Sequence, residues 1–115
     1  MRQHLLAWQW SDYPAKHQSR ANLLLHIVAV PVFELGTLLF LYGALRRSPL
    51  AMLIGAVAAA VSIAVQGRGH RLEPETPTAF DGPVDFVSRL FAEQWITFPR
   101  FVLSGGWYHN LRRAS

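Results

Sequence analysis

Two long apolar runs dominate the pattern of hydrophobic and polar residues along the chain. The first covers residues 21–45, where Glu34 is the only charge, and the second covers residues 48–67, which carry no charge. A helix of this length rises about 30–37 Å, and a bilayer core is about 30 Å thick. The basic stretch 46–49 between the runs predicts a turn, and hence two antiparallel membrane-spanning helices.

Shorter segments flank the two runs. Residues 1–16 predict a short amphipathic helix, because Trp8 and Trp10 are typical of the membrane–water interface. Residues 68–83 contain three prolines and predict a structured loop that begins where the second helix ends, near Gln66.

Residues 84–98 have the pattern of an amphipathic helix. Asp85, Arg89 and Glu93 recur at steps of four and form one charged stripe, with apolar side chains opposite. Such a helix is typical of the interface plane rather than of a membrane span. Pro99 is expected to interrupt it.

Composition supports a membrane protein. The chain of 115 residues is 51% hydrophobic and 16% charged, whereas ordinary globular chains are about 25% charged. It has no cysteine, which excludes disulfides and thiolate chemistry. We therefore predict an all-α fold: a small integral membrane helical bundle in one membrane-embedded domain, 1–115, with two principal spans and interfacial amphipathic helices at both termini.

The net charge of +4 comes from basic residues that flank the apolar runs. They do not line one helix with interleaved aromatic residues, so the pattern indicates membrane lipid as a partner and no nucleic acid. Basic residues lie on both sides of the predicted hairpin, so the positive-inside rule assigns no orientation.

Two histidines lie at the start of the first run. His17 and His26 are nine residues apart, so they would lie on opposite faces of one unbroken helix. Ser19 is a favourable N-cap, however, and a helix starting at about Arg20 leaves His17 outside it and free to fold back. Asn22 and His26 then share one helix face.

A third histidine follows the second run. In an antiparallel hairpin the end of the second helix lies beside the start of the first, so His70 and Glu73 should meet His17 and His26. Three imidazoles and a carboxylate suit a first-row transition metal, and two His with a carboxylate is an arrangement of non-heme Fe(II) oxygenases. A hydrolytic zinc site has similar ligands and stays open.

The order of these motifs resembles a known family. The motif H-x4-N-x3-H-x4-P covers residues 17–31, Gly69 precedes His70, and E-x3-P runs from Glu73 to Pro77. With the two apolar runs between them, they resemble the membrane family that includes the fungal 2-hydroxy fatty acid dioxygenase of alpha-oxidation. The resemblance covers most of the chain.

The resemblance implies an Fe(II)-dependent enzyme, integral to a bacterial inner membrane. It would use O2 to convert a 2-hydroxy fatty acid to the acid one carbon shorter. The implied metal ligands and catalytic residues are His17, His26, His70 and Glu73. The fourth ligand stays open between Glu73, His109 and another residue. The expected substrate-binding residues are Arg20, Asn22, Arg68 and Arg71, although plain headgroup contact is the alternative for the arginines.

Two other functions stay open at this point. The first is a non-catalytic membrane protein whose histidines and arginines bind lipid headgroups or a partner protein. The second is a haem-binding membrane protein in which His26 and another histidine are axial ligands. The chain could also form a homo-oligomer.

Overall fold

The computed structural model describes residues 2–114, which form helices joined by turns, with no strand among them. The all-α prediction is confirmed. A 3-10 turn follows the first helix and a π turn separates the fourth from the fifth. The elements are α1 (Leu5–Asp12), the 3-10 turn (Pro14–Lys16), α2 (Arg20–Leu45), α3 (Pro49–His70), α4 (Pro83–Ala92), the π turn (Glu93–Thr97), α5 (Phe98–Leu103) and α6 (Gly106–Arg113).

The helices α2 and α3 form a long antiparallel hairpin. Their most apolar stretches have mean hydropathies of 2.1 and 2.0, and both helices are long and apolar enough to cross a membrane. The two backbones touch at glycines: a Cβ on Gly36 would lie 2.9 Å from the carbonyl oxygen of Gly55. Small residues at such crossings let membrane helices pack closely.

The helix boundaries near the histidines agree in part with the sequence analysis. Helix α2 begins at Arg20, and the Ser19 hydroxyl accepts a 3.3 Å hydrogen bond from the backbone N–H of Asn22. The predicted loop over residues 68–83 starts too early, because α3 continues to His70. Gly69 lets α3 continue there, since it lies directly against α2, where a larger side chain would collide.

The predicted break at Pro99 is wrong. The backbone stays helical from Pro83 to Leu103, through the π turn. Pro99 falls in the first turn of α5. A proline inside a helix is tolerated where a local π adjustment takes up the changed hydrogen bonding, and here the π turn, in which the Phe98 N–H donates to the Glu93 carbonyl, lies directly before Pro99.

Helix α4 buries its charged face, whereas a helix that lies in the interface plane turns that face towards water. Its charged residues Asp85 and Arg89 are 5% and 7% exposed, whereas Val87 and Phe91 are 50% and 45% exposed. The charges can be buried because they are paired: Arg89 Nη1 lies 3.2 Å from Asp85 Oδ2, and the guanidinium also donates to two loop carbonyls. The polar face of α4 therefore points into the protein.

A compact apolar cluster joins the hairpin to the surrounding elements. It consists of Tyr13, Leu23, Val30, Phe98 and Phe101, all at most 3% exposed. The residues come from α2, α5 and the end of α1. The cluster lies beside the histidines, since Tyr13 stacks on His17 and the Phe98 ring centroid lies 5.8 Å from that of His26.

Candidate metal centre

Three histidines from three different elements surround one point. The ring centroids are 5.1 Å apart for His17 and His26, 4.9 Å for His17 and His70, and 5.0 Å for His26 and His70. His17 follows the 3-10 turn, His26 lies in the second turn of α2, and His70 is the last residue of α3. The hairpin therefore brings together the three histidines that the sequence analysis selected.

Hydrogen bonds fix the orientation of two of the imidazoles. His17 Nδ1 lies 2.9 Å from the carbonyl oxygen of Tyr13, and His26 Nδ1 lies 3.1 Å from that of Asn22. A carbonyl only accepts, so each Nδ1 carries the proton and each Nε2 carries a lone pair. This arrangement, with one ring nitrogen on a carbonyl and the other free, is typical of metal-binding histidines.

The inward nitrogens have no protein partner. Within residues 2–114, His17 Nε2, His26 Nε2 and His70 Nδ1 are buried and accept or donate no hydrogen bond. Buried polar atoms without partners are rare and costly in folded proteins. Three such nitrogens around one point fit a metal ion.

Glu93 completes the group. Its Oε2 lies 3.4 Å from His17 Nε2 and 3.8 Å from His26 Nε2, and the ligand atoms of the three histidines and Glu93 all lie within 4.8 Å of one another. Burial acts to raise the pKa of Glu93, but the close approach of His17 and the attraction of the imidazoles in their protonated form, at low pH, outweigh it and lower the pKa to about 2. Glu93 is therefore ionised at neutral pH.

Glu73, the acid expected from the sequence, lies outside this group. Its Oε1 accepts hydrogen bonds from the backbone N–H groups of Gln18 at 2.6 Å and Ser19 at 3.0 Å, and its Oε2 accepts one from Asn22 Nδ2 at 2.7 Å. These donors occupy the carboxylate at the start of α2. The acid that the structure brings to the histidines is Glu93.

The π turn explains why Glu93 reaches the histidines. Its neighbour Gln94 exchanges two hydrogen bonds with Gln66 of α3, at 2.9 and 2.7 Å, and both side chains are buried. A π turn holds one residue more than an α-helical turn, so that Glu93 and Gln94 both face inward. The amide pair fixes the turn against α3, four residues before His70.

The other residues expected at the site are not members of this group. Arg20, Arg68 and Arg71 are exposed. Asn22 is buried and supports the start of α2. His109, the alternative fourth ligand, is exposed on α6.

A cavity of about 250 Å³ adjoins the centre. His17, His70 and Glu93 line it on the side of the centre, and none of the exposed arginines named above reaches it. Its wall is mainly apolar, built by Trp8, Ile63, Phe80, Phe86 and Leu90. A cavity of this kind fits a ligand with an apolar body and a polar end that contacts the centre.

Comparison with protein families gives one match. A family model described as "2-hydroxy-palmitic acid dioxygenase Mpo1-like" matches residues 4–100, which include all four residues of the centre. No curated protein and no solved structure matches the chain. The matched region covers most of the sequence, and the chain therefore belongs to the Mpo1-like family.

Proposed function

We propose that the protein is an integral membrane dioxygenase that converts 2-hydroxy fatty acids to fatty acids one carbon shorter, with Fe(II) as its metal and O2 as its co-substrate. The observation that carries the proposal is the group of three buried, inward-facing histidine nitrogens and an ionised glutamate, found in a chain of the Mpo1-like family. The products balance as shortened acid, carbon dioxide and water, with O2 accepting four electrons.

The proposed ligands are His17 Nε2, His26 Nε2, His70 Nδ1 and Glu93 Oε2. Imidazole nitrogen and carboxylate oxygen are donors that suit iron, and the ion would supply open positions for the 2-hydroxy acid and O2. The carbonyl oxygens that bind Nδ1 of His17 and His26 hold each ring with its lone pair inward. The protein thereby presents a preformed set of donors.

The cavity beside the centre is the proposed site of the acyl chain. Its apolar wall favours the hydrocarbon, and the centre at one side receives the polar end of the substrate, C1 and C2. A fatty acid that partitions into the bilayer would reach the cavity from the lipid. The exposed Arg20, Arg68 and Arg71 are proposed to contact lipid headgroups at the membrane surface.

The geometry favours a single ion over haem. Three imidazoles and one carboxylate surround one point, whereas axial ligands of haem stand on opposite sides of a porphyrin ring. The unpartnered nitrogens also disfavour a lipid- or partner-binding module without a metal, because such a module would leave them unsatisfied.

The test is iron content and activity on detergent-purified protein that is loaded anaerobically with Fe(II). We expect about one iron per chain, no Soret band, and O2-dependent conversion of 2-hydroxypalmitate to the acid that is one carbon shorter. His26→Gln should lose both iron and activity, whereas the matched control His109→Gln, on exposed α6, should keep both. A Soret band, or full iron content in His26→Gln, would refute the proposal.

A further inference from the structure

Tyr13 contacts two of the four residues of the centre in three ways. Its ring stacks on the His17 imidazole, with centroids 3.7 Å apart and planes inclined by 16°. Its carbonyl oxygen is the partner of His17 Nδ1. Its hydroxyl donates a 2.7 Å hydrogen bond to Glu93 Oε2, the carboxylate oxygen that faces the histidines.

The surroundings of Tyr13 hold it in one position. It is 3% exposed and belongs to the apolar cluster. Phe101 meets its ring edge-on at a centroid distance of 5.1 Å, and Phe98 does so at 6.4 Å. A rotamer change would break these contacts, so the hydroxyl is a fixed donor rather than a mobile one.

Glu93 needs such a donor because few other groups hold its carboxylate. Within residues 2–114, the Tyr13 hydroxyl is the donor that hydrogen-bonds Glu93, and the other near neighbours of Oε2 are the two imidazole nitrogens at 3.4 and 3.8 Å. The amide pair of Gln66 and Gln94 fixes the backbone of the π turn but makes no hydrogen bond to the Glu93 carboxylate. The direction of the carboxylate therefore depends on Tyr13.

We propose, on the basis of the proposed metal site, that Tyr13 is a positioning residue for that site. Its hydroxyl directs the Glu93 carboxylate towards the histidines, while its ring and carbonyl hold His17. Groups that hydrogen-bond metal ligands commonly contribute about 10–100-fold to metal affinity. Tyr13 acts on two ligands at once, and the hydroxyl can be removed without disturbing its contacts with His17.

The test uses Tyr13→Phe, which deletes one oxygen and keeps the ring, with Tyr108→Phe on the exposed face of α6 as the matched control. The probe is Co(II), titrated into full-length metal-free protein in detergent and followed by its visible absorption. We expect Tyr13→Phe to bind Co(II) about 10–100-fold more weakly, with an altered spectrum. Tyr108→Phe should match the wild-type protein, and circular dichroism should show both variants folded.

A double-mutant cycle separates positioning from a general structural effect. If Tyr13 acts through the carboxylate, Tyr13→Phe should cause no further loss of Co(II) affinity in a Glu93→Gln background. Equal Co(II) affinities of wild type and Tyr13→Phe, or losses of affinity that add in the double variant, would overturn the role of Tyr13 and leave the proposed metal site standing. Failure of the wild-type protein to bind Co(II) would overturn the proposed metal site as well, so the two failures are distinct.

Discussion

Replacing Glu93 and Glu73 by glutamine, one at a time, tests which carboxylate belongs to the metal centre. Glutamine keeps the size of the side chain and removes its charge and one acceptor oxygen. The structure predicts opposite results: Glu93→Gln should lose metal with little loss of fold stability, and Glu73→Gln should lose stability with little loss of metal.

The expected loss of stability in Glu73→Gln follows from the hydrogen bonds of the Glu73 carboxylate. The carboxylate, which is 9% exposed, accepts from two backbone N–H groups and from the Asn22 amide. Hydrogen bonds to charged groups contribute about 1.5–3 kcal/mol each, and a buried donor left unpaired costs about 1–3 kcal/mol. One acceptor oxygen remains in glutamine, so we expect the free energy of unfolding to fall by about 2–4 kcal/mol.

In Glu93→Gln the expected loss is in metal affinity. Loss of a group that merely hydrogen-bonds a ligand costs about 10–100-fold, and loss of an anionic ligand should exceed that, so we expect Glu93→Gln to bind Co(II) more than about 100-fold more weakly. Three histidines remain, so weak binding should still be measurable.

The assay has two parts, both on protein in the same detergent. Thermal unfolding of the metal-free protein is followed by circular dichroism, because bound metal would add its own stabilisation. Co(II) titration then gives the affinity of each variant that remains folded. If Glu73→Gln loses Co(II) affinity as strongly as Glu93→Gln while staying folded, Glu73 is a ligand and our assignment of the fourth acid is refuted.

Three further predictions concern the framework around the centre. Gly69→Ala should weaken Co(II) binding, because its Cβ would overlap the buried amide oxygen against which α3 packs, whereas Gly67→Ala, with open space around its Cβ, should not. A hydrogen bond from the backbone N–H of Asp81, and then its arginine partner, lower the pKa of Asp85 below the usual 3.8. Asp85 therefore stabilises the fold above that pH. In unfolding measured against pH, the advantage of wild type over Asp85→Asn should disappear as the pH falls below about 3.8. Val87→Cys, the single cysteine in a chain that has none, should resist a membrane-impermeant maleimide in vesicles and react once unfolded; rapid labelling in vesicles would place this face in water.

The hairpin and the meeting of the histidines could be predicted from the sequence for simple reasons. Two apolar runs separated by a short basic turn leave few arrangements other than antiparallel neighbours. The start of α2 then lies beside the end of α3, and Ser19 marks where α2 begins. From this alone, His17, His26 and His70 had to lie at one end of the hairpin.

Sequence proximity favoured Glu73 as the fourth acid, whereas the structure brings Glu93 to the histidines. Glu73 follows His70 by three residues, but the chain turns back after α3 and brings Glu73 to the start of α2. Glu93 lies 23 residues after His70 in the sequence, and its approach depends on a π turn. No hydrophobic period predicts such a turn, although the adjacent polar residues Gln94 and Thr97, on a face that a regular helix would keep apolar, were a usable signal.

The orientation of α4 shows a more general reason why the sequence pattern did not predict the whole site. Charged residues that recur every four positions identify two faces of a helix, but they do not tell which face points outward. In water the charged face points outward; beside a bilayer the surroundings are apolar, and the charged face is best satisfied inside the protein if it finds partners there. Asp85 and Arg89 find each other and loop carbonyls, and Glu93, next on the same stripe, finds Tyr13 and the histidines. In a membrane chain with a cluster of histidines, a stripe of charges that pair with one another is therefore better interpreted as facing inward. The one residue of the stripe that has no charged partner on the same helix is then the candidate ligand.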